Sequence, residues 1–231
     1  YLLNILQYST MIKKMTDSIK SKKRVADFGE VFTSEREVKA MCDLVKDETY
    51  RIDSTVLEPA CGDGNFLAEI LTRKLDTVEK RYGKSPLDFE KYSVLTVSSL
   101  YGVDIQEDNA EECRQRLFGI WDDIHSRLTG KEAMKGVEDA VRYILRCNIL
   151  CGDALSLKKS DGEPITFAEW ALLNGSYMKR RDFYLSTMLE VQELGGQGDL
   201  FLSGDEYDEE IGAYVPQPIK DDYKPIEYWR V

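Results

Sequence analysis

Apolar positions along this chain switch between a helical period and a strand period, and the switches mark out the elements. In residues 1–24, Leu3, Leu6, Met11 and Met15 predict a helix, which also carries Lys13, Lys14, Lys20, Lys22, Lys23 and Arg24. Residues 25–33 predict a loop. Ser34 followed by Glu37 fits a capping box, in which hydroxyl and carboxylate satisfy the first free N–H groups of a helix. That helix runs on through Val38, Met41, Leu44 and Val45. Residues 55–58 predict a short strand, and residues 66–81 a helix with Phe66, Leu67, Ile70 and Leu71 on one face. A loop is expected over 82–86 and a second strand over 100–105. Residues 108–128 place Cys113, Leu117, Ile120, Trp121 and Ile124 at helical spacing, and 137–145 predict another helix. A third strand is expected over 146–151.

Strands alternating with helices long enough to cross over predict an α/β fold with a mainly parallel sheet and right-handed connections. Beyond residue 156 the periodicity weakens. Residues 164–174 read as a further strand or a helix start, and 178–193 as a helix. Glycines at 195, 196 and 198 mark a break before an acidic stretch over 205–210 and a Pro/Tyr-rich end over 213–231. The expected organisation is an N-terminal helical extension (1–24), an α/β domain (25–194) and a C-terminal tail (195–231).

Composition narrows the function classes. With 42% apolar residues the chain has enough to bury a core, and its net charge of −11 argues against a globally basic nucleic-acid binder. Local basic clusters remain: Lys20, Lys22, Lys23 and Arg24, and Lys179-Arg180-Arg181. Either could touch DNA phosphate, or be a solvated face. The cysteines at 42, 61, 113, 147 and 151 form no Cys-x-x-Cys pair, and His125 is the only histidine. No zinc site is expected, histidine-based triads are disfavoured, and free thiols fit a reducing cytoplasmic setting. No stretch reaches the ~20 apolar residues of a membrane span. The apolar start lacks the flanks of a signal peptide.

The strongest chemical signal is the stretch Glu58-Pro59-Ala60-Cys61-Gly62-Asp63-Gly64-Asn65-Phe66 between a strand and a helix. Its glycines allow a tight turn and a close backbone approach, and the helix start offers free N–H groups to an anion. Asp104 at the end of the second strand is placed to accept ribose hydroxyls, and Asp153 after the third to accept from an adenine amino group. Alternatively, Asp104 caps a strand and Asp153 makes a Gly-Asp turn. All three features fall at strand C-terminal ends, where open α/β sheets bind ligands.

These segments resemble the adenine-N6 DNA methyltransferases of restriction–modification systems, which use S-adenosylmethionine (SAM). Leu57 to Leu67 is similar to their (Asp/Glu)-Pro-Ala-Cys-Gly-x-Gly-x-Phe-Leu loop. Gly29 to Ser34, with Val38 and Met41, is similar to the segment before it, although Ser34 replaces the usual proline. Tyr101 to Ile105 and Asn148 to Leu155 match the ribose and adenine strands, so the likeness covers residues 24–156. The resemblance implies a Rossmann-like SAM-methyltransferase fold with a mainly parallel sheet, incomplete in its C-terminal half. It implies that Phe32, Thr33, Glu58, Ala60, Gly62 and Gly64 surround the methionine part of SAM. Asp104 and Ile105 would hold the ribose and one adenine face, and Asp153 and Ala154 the adenine edge.

The sequence departs from that family where the chemistry happens. Those enzymes position a flipped adenine with Asn-Pro-Pro-Tyr, and this chain has no Pro-Pro. Asn174-Gly175-Ser176-Tyr177 stands at about the expected place, with Asn174 and Tyr177 as candidate catalytic residues; Asn-Gly is equally a turn signal. The residues after Tyr177 are too few for the family's remaining strands and a target-recognition region. The chain therefore reads as an abbreviated enzyme, a fragment, or one half of an assembly with a partner subunit or second copy. Two expectations stand: a SAM-dependent DNA adenine-N6 methyltransferase, or a non-catalytic SAM-binding module that pairs with another chain.

Overall fold

The computed structural model describes residues 20–21, 23–24, 33–194, 206–208, 213–215 and 217–231. The expected helix over 1–24 and the loop over 25–33 fall largely outside them, as does the break over 195–204.

The chain folds as a mixed α/β structure around a three-stranded parallel sheet. Its strands are β1 (Val56–Glu58), β2 (Leu100–Asp104) and β3 (Ile149–Cys151), in the order β1-β2-β3. Helix α1 (Glu35–Leu44) precedes it with its capping box formed, then a short α2 (Lys46–Tyr50). Only Val38 and Cys42 of α1 are buried. Met41, Leu44 and Val45, expected on its apolar face, are exposed.

Helix α3 (Asn65–Tyr82) follows the glycine loop and buries Leu67, Leu71 and Leu75. Then comes α4 (Pro86–Ser98), where the sequence predicted a loop ending at residue 86. Ser85 caps it and Pro86 opens it, a use of proline that starts a helix rather than ending one. Helix α5 (Glu107–Thr129) packs on α3 and α4, and α6 (Val137–Asn148) leads directly into β3. Residues 146–148, expected in the third strand, are the last turn of α6. There the Asn148 side chain accepts from the Ala168 N–H at 3.0 Å and donates to the Ser98 carbonyl.

The second sheet is antiparallel, with β4 (Thr166–Leu172), β5 (Tyr177–Tyr184) and β8 (Ile226–Glu227) in the order β4-β5-β8. The helix expected over 178–193 is half strand: α7 (Leu185–Leu194) begins only after β5. A separate β6–β7 pair covers Glu206–Asp208 and Ala213–Val215. Among the described residues the parallel sheet thus has three strands. Its Tyr101 and Val103 face is covered by Ile165, Phe167 and Leu185, and Tyr101 meets Phe167 edge-on.

The chain end packs into the main core rather than trailing from it. Tyr228 is buried, and Trp229 and Val231 pack beside it. The Tyr228 hydroxyl donates to Glu90 Oε1 at 2.9 Å, while the Met134 N–H donates to the same carboxylate. His125 Nε2 lies 2.8 Å from Glu90 Oε2, and Trp121 stacks on the imidazole ring. This knot ties α4, α5 and the chain end together below the sheet.

Candidate functional site

A cleft of about 620 Å³ opens at the C-terminal ends of the three parallel strands. That volume falls within the usual range for a small-molecule site. The glycine loop forms one wall, the start of α5 the second, and the turn after β3 the third.

The loop is held by contacts that only glycine allows. Gly64 has φ +90°, and a Cβ there would lie 2.7 Å from the Cys113 sulfur on α5. Gly102 in β2 gives way to the Cys61 side chain, whose Sγ would meet a Cβ at 3.1 Å. Cys61 therefore packs inward. A hydrogen bond with Cys113 and burial push its thiol well above the ordinary range, which suits packing and not nucleophilic chemistry.

Asp104 is the central brace. Its Oδ2 accepts from the Gly62 N–H at 3.0 Å, and its Oδ1 accepts from the Gln106 N–H at 2.8 Å and from Asn109 Nδ2 at 3.1 Å. A carboxylate offers about four acceptor positions, so one remains on the Oδ2 side. Glu58 lines the same cleft; burial pushes its carboxyl up, opposed by the N–H of Ala60. In the turn after β3, the Leu155 N–H donates to Asp153 Oδ1 at 2.9 Å, holding that carboxyl below its usual range. Leu155 itself is 96% exposed, and the neighbouring Ile105 is also exposed.

Two acceptors in the cleft have no partner. Asp63 Oδ1 and Asn109 Oδ1 are both buried without a hydrogen bond. A buried polar atom left unpaired is costly, and among the described residues two more, His125 Nδ1 and Trp170 Nε1, lie in the core away from the cleft. Four carboxylates line the cleft, from Glu58, Asp63, Asp104 and Asp153, and among the described residues no lysine or arginine does.

Most of the residues expected from sequence meet here. Thr33, Glu58, Ala60, Gly62, Asp104, Ile105, Asp153 and Ala154 all line the cleft. Gly64 does not; it lies beneath the loop against Cys113. Phe32 lies outside the described residues. Sequence reasoning missed Asp63, Asn65, Gln106 and Asn109, of which only the first two stood inside a visible motif.

Asn174 and Tyr177 are elsewhere. Ile165, just before β4, packs on Gly152 at the cleft end of β3, while the Ala168 N–H already reaches Asn148 at the other end. β4 therefore runs away from the cleft, and its seven residues span roughly 23 Å. Asn174 to Ser176 form the turn beyond it, closed by the Leu173 N–H donating to the Tyr177 carbonyl, with Gly175 at φ +76°. Tyr177 is half exposed and pairs with Glu227. Asn174 and Tyr177 therefore do not line this cleft; they sit at the hairpin turn between β4 and β5, where the Asn-Gly pair makes its turn.

Several members of the basic clusters make ion pairs within the chain. Lys179, Arg180 and Arg181 pair with Asp221, Asp182 and Glu169 respectively. Lys20 reaches Glu112 at 2.7 Å, and Arg24 forks onto Asp108, whose carboxyl it draws down to about 2. Lys23 is exposed, and Lys22 lies outside the described residues. Among the described residues no helix is long and apolar enough to cross a membrane.

Neither a family model, nor a curated protein, nor a solved structure matches this chain.

Proposed function

We propose that this chain is the SAM-binding domain of a DNA adenine-N6 methyltransferase with a Rossmann-like fold. The groups that position the target base come from outside its Asn174–Tyr177 hairpin. The observation that carries the cofactor assignment is the charge of the cleft. Its described lining offers acids and helix N–H groups but no basic side chain. A dinucleotide or nucleoside triphosphate would set its phosphates among four carboxylates, at a Coulomb cost that grows as water is expelled. SAM brings a sulfonium, an ammonium and sugar hydroxyls, all of which carry positive charge or donate. Its one anion, a carboxylate, suits the start of α3, where Gly64 leaves the first N–H groups without a side-chain cap.

The residues divide the ligand between them. The free acceptor position on Asp104 takes ribose hydroxyls. Ile105 and Ala154 offer apolar surface to the adenine ring, with Asp153 at its edge. SAM when bound supplies an electrophilic methyl group. The described lining provides no residue arranged to receive a flipped base beside it, so transfer requires a further segment or a partner subunit. This favours the SAM-binding module over a self-sufficient enzyme.

Calorimetry with SAM, S-adenosylhomocysteine, NAD and ATP tests the assignment. Saturable binding of the first two and none of the last two is expected; the reverse order would sink it. A labelled-methyl assay on duplex and single-stranded DNA is expected to show no transfer by the chain alone.

A further inference from the structure

Arg180 and Arg181, in the basic cluster that sequence offered to DNA, are paired with carboxylates of the chain itself. Arg142 and Arg146 are not. Among the described residues they make neither an ion pair nor a hydrogen bond, and both are exposed. They stand four apart on α6, so they share one side of the helix. Like charges at that spacing disfavour a helix slightly. Yet the net charge of −11 leaves no shortage of acids in this chain.

Both arginines line a groove of about 100 Å³ between α5 and α6. That is well below the ~300 Å³ of a small-molecule pocket, and it suits a compact group rather than a whole nucleotide. The Arg142 guanidinium lies over the Phe118 ring, 3.4 Å from its centroid. Stacking holds the guanidinium in place and leaves its N–H groups unspent. The acid among the described lining is Glu111, and both its oxygens are taken. Gln115 donates to Oε1 at 2.8 Å and Arg114 to Oε2 at 2.9 Å. Those bonds hold the Glu111 carboxyl below its usual range, and Arg146 adds its charge from farther off. Arg114 also donates to Glu107 and to the Ile149 carbonyl, so it is committed within the fold. The uncommitted cations of the groove are Arg142 and Arg146.

We propose that this groove is a phosphate-binding site, in which Arg142 and Arg146 donate to the oxygens of one phosphate group. Guanidinium forks pair with phosphate oxygens two at a time, which gives geometry as well as charge. Asn109 lines the cleft and Gln115 the groove, six residues further along α5, or roughly 9 Å along its axis. A nucleic-acid strand lying across α5 and α6 brings a backbone phosphate to the groove and passes beside the cleft. Free phosphate presents the same chemistry. The groove is separate from the cleft, and the proposal does not rest on what the cleft binds.

The test measures labelled duplex DNA by fluorescence anisotropy over a salt series, and inorganic phosphate by calorimetry. The double variant Arg142→Gln/Arg146→Gln is compared with Arg36→Gln/Arg81→Gln, which removes the same charge from two other exposed arginines without ion pairs. The first is expected to weaken DNA binding by about tenfold or more, the scale of one charge-assisted hydrogen bond. It should also reduce the log–log salt slope by about 0.9, for one phosphate contact. The second should leave both as in the wild type. Arg146→Gln alone, which keeps the stack on Phe118, should show part of the loss. Phosphate binding that is lost in the first double variant, with DNA binding equal in all proteins, assigns the site to free phosphate. Binding of neither ligand by the wild type overturns the proposal. So does equal weakening by the two double variants, or binding that survives the loss of both groove arginines.

Discussion

The cleft and the Glu90 knot are both polar, and they treat their carboxylates in opposite ways. In the knot, a fully buried carboxylate receives Tyr228, the Met134 N–H and His125, so its oxygens are satisfied from within, although His125 Nδ1 beside it has no partner. In the cleft, Asp63 Oδ1 and Asn109 Oδ1 are left without partners, and four acids share one opening. A protein tolerates the first arrangement because it closes the core. The second leaves its acids beside an open cleft, where an entering ligand can balance their charge. Polarity alone therefore does not mark a functional site.

The sharpest way to break this contrast is to remove Glu90. Glu90→Leu leaves the Tyr228 hydroxyl and the Met134 N–H unpaired in the core. Each buried donor left without an acceptor costs about 1–3 kcal/mol, so the summed loss should be the largest of these variants. Urea unfolding should show that loss, while the SAM affinity of the protein still folded stays unchanged. A knot variant that lost affinity without losing stability would show that the two regions are not separate.

Asp104 stands between the two classes, because it braces the loop and retains one acceptor position. Asp104→Ala should abolish measurable SAM binding and also cost about 1–3 kcal/mol, since three donors lose their acceptor. Full binding by this variant would remove Asp104 from the ribose site. Gly64→Ala is expected to cost about 1–3 kcal/mol, from strain at φ +90° and the collision with Cys113. Its effect on affinity should be indirect, through displacement of the loop.

How much of this was legible in sequence follows from the same contrast. β1, the glycine loop, α3, β2 and α5 were readable because their apolar residues face one way and turn residues separate them. Helix α4 was not, because Glu90, Ser93 and Thr96 are buried alongside Phe89, Val94 and Val97, and that mixture blurs any stripe. β5 was read as helix because no glycine or proline separates Tyr184 from Leu185. The place of Asn174 and Tyr177 outside the cleft was not legible, because spacing along a chain does not say which end of a sheet a hairpin will reach. Within the site, Asp104 and Asp153 were visible as acids at strand ends. Asn109 was not, since its relation to the loop exists only once α5 packs on it.

The smallest effect predicted belongs to Lys74, a polar group satisfied in the manner of the knot yet still strained by its charge. It is fully buried, and its ammonium donates to the Ser54 carbonyl and, at 2.8 Å, to Ser99 Oγ. Burial lowers its pKa from 10.5 to about 8. The folded state therefore releases this proton near pH 8, while the unfolded chain keeps it until about 10.5. Between those values the unfolded state binds more protons, so Lys74 makes stability rise with pH. The rise across that window should be on the order of 1–3 kcal/mol. Buried Tyr101 and Tyr228, whose hydroxyls are shifted upward, act in the opposite direction at high pH. The absolute curve thus mixes several groups, and the difference between wild type and Lys74→Met isolates one. Urea midpoints for both proteins at several pH values should diverge in slope above pH 8, with the wild type gaining relative to the variant. Parallel curves would mean that Lys74 keeps its proton in the fold, and that its two hydrogen bonds offset burial as completely as those around Glu90 do.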